Sequence, residues 1–412
     1  MAALRRVLPL LLVASVAVGG VPSAAGAQRP LTDVVQGLVA RSPVGSGASV
    51  VVRDAAGEVI ASVRPAVPLA PASNEKLLTI VTALRLLGPD AQLRTSLVAT
   101  EPVLDGVIDG DLRLVGGGDP TFSTRAFGSR TYGIRVATAE QLAGRLRLAG
   151  VVRVTGRLLA DASLFDEQIA GPGWKQEFTP LECPPLSALT IDRATLQPAL
   201  VAARRVRAAL RAVGISIGAA GVAAPPASAG TTLAYVDSAP LRWLATLAGK
   251  DSDNFVAELL LKAVAATTRT PGTTRAGAAI ALRTLAAFGV PAAGVRFVDG
   301  SGLSAQNRAT TSELSLLLAR VAADPALAAA FRQTLAVAGT DGTLAARMTR
   351  GAAHGYVLAK TGTLNGASAL SGYAGPYTFS ILIGGAALDQ DAAHALEDAI
   401  AQVLAKRAAS AG

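Results

Sequence analysis

Apolar and polar positions repeat along this chain in two distinct textures. From Ala48 to Arg53 the pattern is that of a short strand, Asp54-Ala55-Ala56-Gly57 supplies turn chemistry, and Glu58 to Val63 returns, so a hairpin is predicted. Near the other end, Tyr356 to Lys360, Ala369 to Ala374 and Tyr377 to Ile383 predict three further strands, with Gly375-Pro376 separating the last two. A helix is predicted from Asp391 to Lys406, with Ala392, Leu396, Ala399, Val403 and Leu404 on one face. Lys76 to Leu87 is dense in apolar residues and stops at Gly88-Pro89, which predicts a buried helix. The fold class expected is mixed α/β (α+β), with strands from both ends of the chain sharing one antiparallel sheet flanked by helices.

Between Leu93 and Tyr235 the texture changes. Short β-like pieces alternate with turn signals such as Asp105-Gly106, Asp109-Gly110 and Gly116-Gly117-Gly118-Asp119-Pro120. A β-rich insertion over 93–235 is expected, dividing one catalytic unit into 28–92 and 236–412. Gly218 to Thr231, rich in alanine, proline, serine and glycine, reads as a linker or loose edge. The glycine triplet lacks the Lys-Ser/Thr of a phosphate loop and reads as a turn. No fixed-period repeat is present.

Residues 1–27 read as a signal peptide: Arg5 and Arg6, an apolar run from Val7 to Val18, then Ala25-Gly26-Ala27 as a small-residue cleavage site. The run is short for a retained membrane anchor, and the arginine pair lacks the surroundings of a twin-arginine signal. Removing the leader leaves 385 of 412 residues, too many for one ordinary core. Localisation is therefore expected to be the cell envelope, by export. Net charge is +9, or +7 without the leader's two arginines, but aromatics make up only 4%. With no basic run interleaved with aromatics, nucleic acid is excluded as a partner, and peripheral association with anionic wall polymers or the membrane surface is the better match. One cysteine in an exported chain allows no internal disulfide, so stability must come from packing.

The candidate chemistry lies in three short motifs: Ser73-Asn74-Glu75-Lys76, Ser252-Asp253-Asn254 and Lys360-Thr361-Gly362-Thr363. The chain has six lysines, at 76, 175, 250, 262, 360 and 406, and only one follows a serine by three residues while only one opens a Lys-Thr-Gly. A serine nucleophile needs a base. The two histidines, His354 and His394, read as incidental, and Cys183 has no Cys-x-x-Cys partner, so a Ser–Lys couple is the economical route. In a helix at this spacing Lys76 lies one turn from Ser73 on the same face, and the positive helix end favours an alkoxide. Burial would lower the lysine from its usual value near 10.4; Lys360 is expected to assist as a second cation.

With these motifs in this order, the chain resembles the D-alanyl-D-alanine carboxypeptidases of the class C, type-4 penicillin-binding protein family. The resemblance runs from roughly residue 40 to 400. It includes Leu69 to Asn74, Gly110-Asp111-Leu112, Gly116 to Thr121, Gly173-Trp174, Pro185 to Leu189, Asp299 to Ser304, Gly339 to Leu344 and Ser371-Gly372-Tyr373. The gap of 176 positions between Lys76 and Ser252 separates it from class A β-lactamases, whose second motif comes far sooner.

The resemblance implies a β-lactamase/transpeptidase-like catalytic domain with extra domains in that gap. It implies an exported serine-type D-Ala-D-Ala carboxypeptidase, with D,D-endopeptidase activity on cross-links as an open addition. Its substrates would be peptidoglycan stem peptides, its inhibitors β-lactams, and no metal or organic cofactor is implied. Ser73 would form the acyl-enzyme and Lys76 take its proton. Ser252 would bridge the two lysines and protonate the leaving amine. Asn254 would hold Lys76 and touch the substrate amide, with Asp253 pointing outward between them. Lys360, Thr361 and Thr363 would hold the terminal carboxylate, and the N–H groups of Ser73 and Thr363 the oxyanion. Asp299 and Asp341 are at least as well explained by turn duty, and Trp174 either lines a groove or packs within the insertion. The rivals are a β-lactamase or D-stereospecific esterase on the same fold, and a non-catalytic wall-binding module.

Overall fold

A computed structural model describes residues 29–134, 136–223, 230–268 and 271–411. The expected leader at 1–27 and the middle of the Gly218–Thr231 segment, 224–229, lie outside the described residues.

The largest element is a six-stranded antiparallel sheet. Its order is Ala336–Val337, Val357–Leu364, Ala367–Ala374, Tyr377–Gly384, Ala48–Arg53 and Val59–Val63. The two ends of the chain are thus stitched together, with Ala48 opposite Ile383 and Arg53 opposite Thr378. Ala48–Arg53 is buried at every position, because helices cover both faces of the sheet. On one side Val50 and Val52 pack with residues of the helices Leu31–Arg41 and Gln390–Ala411. The polar residues that point the other way are satisfied by the helix Thr311–Ala322: the Ser49 hydroxyl meets that of Thr311 at 2.7 Å, and Arg53 Nε donates to Ser315 Oγ at 3.0 Å. A buried polar group without such a partner would cost on the order of 1–3 kcal/mol.

Against the second face lie Glu75–Leu86 and Asn254–Ala266, which pack on each other together with Leu241–Gly249 and Thr274–Ala287. Both central helices are buried nearly all round, including Lys76 on the first and Glu258 and Lys262 on the second. Helices of this kind cannot show a polar stripe, so their positions are set by neighbours on every side.

Residues 94–237 build a second, mixed sheet in the order Thr231–Asp237, Arg94–Ala99, Leu112–Val115, Leu158–Asp161 and Ala220–Val222. The helices Ala139–Leu148 and Pro198–Ala212 pack on it, the former opened by a Thr138–Gln141 capping box. The segment enters and leaves at one place, since Arg94 pairs with Asp237 across adjacent strands at 2.8 Å. Among the described residues no helix is long and apolar enough to cross a membrane.

A brace joins the two units. The fully buried Lys262 on Asn254–Ala266 forms an ion pair with Asp166 and donates to the Gln168 carbonyl at 2.8 Å. Removing one member strands a buried charge, whereas replacing both with apolar groups of similar volume does not. Asp166→Ala is expected to lower unfolding free energy by about 3 kcal/mol, and Asp166→Ala with Lys262→Met by about 1 or less, measured by urea titration. Equal losses in the two variants would show that the ion pair is not the brace.

Candidate active site

Three remote segments converge on one amine. Ala72–Asn74 forms a 3-10 turn that runs straight into the helix Glu75–Leu86, so Ser73 stands just before the helix rather than in its first turn. Ser73 is half-buried, and Lys76 below it is fully buried. Lys76 Nζ lies 2.9 Å from Ser73 Oγ, 2.8 Å from Asn254 Oδ1 and 2.6 Å from the Ser301 carbonyl oxygen. Asn254 opens the second buried helix, and its amide Nδ2 donates to the Glu182 carbonyl at 3.0 Å.

The third motif runs along the sheet beside the nucleophile turn. Asn74 Nδ2 donates to the Lys360 carbonyl at 3.1 Å, tying that turn to the strand. A Cβ at Gly362 would sit 2.8 Å from the Pro71 carbonyl oxygen and 3.1 Å from Ser73 N, so only glycine lets the strand approach this closely. Lys360 is fully buried and donates to the Thr361 carbonyl at 2.9 Å. The Thr361 hydroxyl donates to Thr343 Oγ1 at 2.7 Å, while Thr363 is exposed.

Burial lowers Lys76 to about 8, opposed by the negative charges of Asp299, Glu258 and Asp253. Desolvation is thus the main cause, as the sequence led one to expect. Lys360 is pushed well below its usual range, first by burial and then by the Lys76 cation beside it, with Asp251 opposing. Two desolvated ammonium groups this close cannot both stay charged without a counter-ion. Behind Lys76, burial also drives Glu258 up to about 8 and Glu75 well above the usual carboxyl range.

The loop carrying the second motif is pinned from two sides. Lys250 forms an ion pair with Asp341, whose other oxygen accepts from Val337 N at 2.7 Å, and Thr343 N donates to the Lys250 carbonyl at 2.9 Å. Asp341 thus does turn duty that holds the loop of the second motif. Ser252 has a left-handed φ of 59°, and among the described residues no hydrogen bond joins its hydroxyl to Lys76 or Lys360. Asp253 does not point outward. It caps the helix Asn254–Ala266 through Val256 N at 3.1 Å and pairs with Arg193, whose Nε donates to Tyr132 Oη at 3.1 Å. Unpaired, a carboxylate with a side chain only 14% exposed would be costly, and this explains its inward turn.

Sequence reasoning missed Asn74, Arg193 and the Ser301 carbonyl. Asn74 stood inside a motif and Ser301 inside the Asp299–Ser304 stretch of the resemblance, but nothing local marks its carbonyl, and Arg193 carries no local signal. Asp299 is fully buried and takes four donors, among them the Trp174 indole Nε1 at 2.6 Å. Cys183 is buried, and burial pushes its thiol up, away from nucleophile chemistry.

A family model described as D-Ala-D-Ala carboxypeptidase 3 (S13) matches residues 34–205 and 184–407. Carboxypeptidase DacB of Mycolicibacterium smegmatis is 33% identical over 74% of this chain and 68% of its own length. A D-alanyl-D-alanine carboxypeptidase of Actinomadura sp. is 30% identical over 87% of this chain and 81% of its own. In shape, the chain is similar to the crystal structure of penicillin binding protein 4 (dacB) from Haemophilus influenzae, with a TM-score of 0.79, 22% identity, and 90% and 99% of the two chains covered.

Gly302 marks how tightly this site is packed. Its φ is +84°, and an added Cβ would lie 2.0 Å from the Ala72 carbonyl oxygen, next to Ser73. Gly302→Ala is expected to slow labelling of the protein by a fluorescent penicillin by about a hundredfold through displacement of the Ser73 turn. Labelling within twofold of the parent protein would show that the turn tolerates the shift.

Proposed function

Because this chain belongs to the D-Ala-D-Ala carboxypeptidase 3 (S13) family, we propose that Ser73 is its acylated nucleophile and Lys76 the base. The chain is a serine-type D,D-carboxypeptidase of that family. The observation that carries the residue assignment is the 2.9 Å contact between Ser73 Oγ and an amine lowered by burial to about 8.

The substrate is a peptidoglycan stem peptide ending in D-Ala-D-Ala, met outside the cytoplasm after the 1–27 leader directs export. Lys360 has no ion pair among the described residues, Asp251 acting on it only through its field; the terminal carboxylate supplies an opposite charge at hydrogen-bond range, which restores the ammonium form. Thr363, exposed at the strand, adds a free hydroxyl, and Thr343 orients Thr361 beside it. With Lys360 cationic, Lys76 is driven neutral and accepts the Ser73 proton as Oγ attacks the penultimate carbonyl. The N–H groups of Ser73 and Thr363 receive the oxyanion, where one donor is worth on the order of 3 kcal/mol of barrier. Ser252, on its pinned loop, passes the proton to the departing D-alanine amine once substrate closes the gap to it. Asn254 holds Lys76 in line, and water then releases the shortened peptide. β-Lactams present the same acyl donor to Ser73.

Ser73→Ala is expected to abolish both fluorescent-penicillin labelling and D-alanine release while circular dichroism stays unchanged; labelling that survives the change contradicts the nucleophile assignment. Lys76→Arg is expected to cost nearly as much, since a guanidinium does not give up its proton, and near-parental acylation of that variant excludes Lys76 as base. The rate of penicillin acylation is expected to rise with pH and level off above about 8, because the reactive form is the neutral amine. A rate that falls through this range would point to a different group.

A further inference from the structure

Lys76 donates to three acceptors, and only Ser73 Oγ can also give a proton back. A neutral amine has two N–H bonds and one lone pair. Asn254 cannot receive that lone pair, because its Nδ2 is committed to the Glu182 carbonyl and its oxygen faces the amine. The Ser301 carbonyl cannot receive it either, being an acceptor only. Resting on the assignment of Lys76 as base, we propose that the Ser301 carbonyl, fixed by Asp299 through the N–H of Gly302, is the group that aims the Lys76 lone pair at Ser73, making Asp299 a positioning residue for the acylation step.

The Ser301 carbonyl and the Gly302 N–H belong to one planar peptide group. That N–H donates to Asp299 Oδ1 at 2.8 Å, and Asn307 Nδ2 donates to the same oxygen at 2.7 Å. Ser304 N at 2.7 Å and the Trp174 indole at 2.6 Å hold Oδ2. An anionic acceptor on the N–H side polarises the amide and strengthens its carbonyl as an acceptor. The preceding peptide is held as well, since Ser301 N donates to Glu258 Oε1 at 2.7 Å. The left-handed Gly302 lets the loop turn back to present its carbonyl inward. Trp174 comes from the 94–237 segment, so this chain of contacts also carries that segment's position to the base.

The charged groups around Lys76 are Asp299, Glu258 and Asp253, with Cys183 nearby, Glu75 on its own helix and Lys360 from the sheet. Asp299 raises the proton affinity of the amine. Asp299→Asn keeps an oxygen for Gly302 but removes the charge. It is expected to cut the saturating acylation rate with penicillin by about tenfold, leave the non-covalent dissociation constant within about twofold, and move the acid limb of the pH profile to lower pH.

Asn307→Ala removes one donor from the same carboxylate, leaving its charge less screened toward Lys76, and is expected to move the limb the other way. This second variant decides the matter if Asp299→Asn fails to fold. A limb that stays in place in the folded variants, or a loss confined to the dissociation constant, overturns the proposal. An inactive Lys76→Arg beside unmoved limbs overturns it alone; an active Lys76→Arg removes the base and this proposal together.

Discussion

A lysine amine buried among acceptors, with no carboxylate in direct contact among the described residues, is the constraint on which this structure turns. Lys76 is fully buried, yet its three hydrogen bonds go to a serine hydroxyl, a side-chain amide and a backbone carbonyl. An ion pair at that distance would keep the amine charged and useless as a base; open water would do the same. The carboxylates that stabilise the site stand one layer back, on Asp299, Glu258 and Asp253, where they temper the shift without abolishing it.

That arrangement forces close backbone approach around the amine. Gly362 brings the sheet against the nucleophile turn, and Gly302 brings the Ser301 loop against it from behind. Each contact is made by an element whose far end is anchored in a separate apolar cluster, so the site inherits its rigidity from the packing of both layers. The 94–237 segment adds a further set of supports. It provides the Glu182 carbonyl that orients Asn254, the Arg193 that turns Asp253 inward, and the Trp174 that caps Asp299. Residues far from the motifs in sequence thereby govern the geometry of the first two.

Much of the catalytic unit was legible before any coordinates. The hairpin at 48–63, the three strands near the C-terminus and the terminal helix are all present, because short turns and local periodicity announce such elements directly. The Ser-x-x-Lys spacing likewise carries its own geometry, one helical turn. The strand Ala48–Arg53 shows the limit: nothing in its own sequence tells that a helix from the far side of the chain buries and satisfies its polar members Ser49 and Arg53.

The amino-acid order by itself determined which chemical groups exist, their spacing within each motif and the kinds of element that carry them. Only tertiary structure decided that Asp253 faces inward, that Asp299 and Asp341 hold loops, and that a bare carbonyl at 301 accepts from the Lys76 amine. The physical reason is that desolvation and hydrogen-bond partnership arise from what lies across the fold. Every amide of the chain carries an identical carbonyl, and nothing in its own letters tells which one will meet a buried amine.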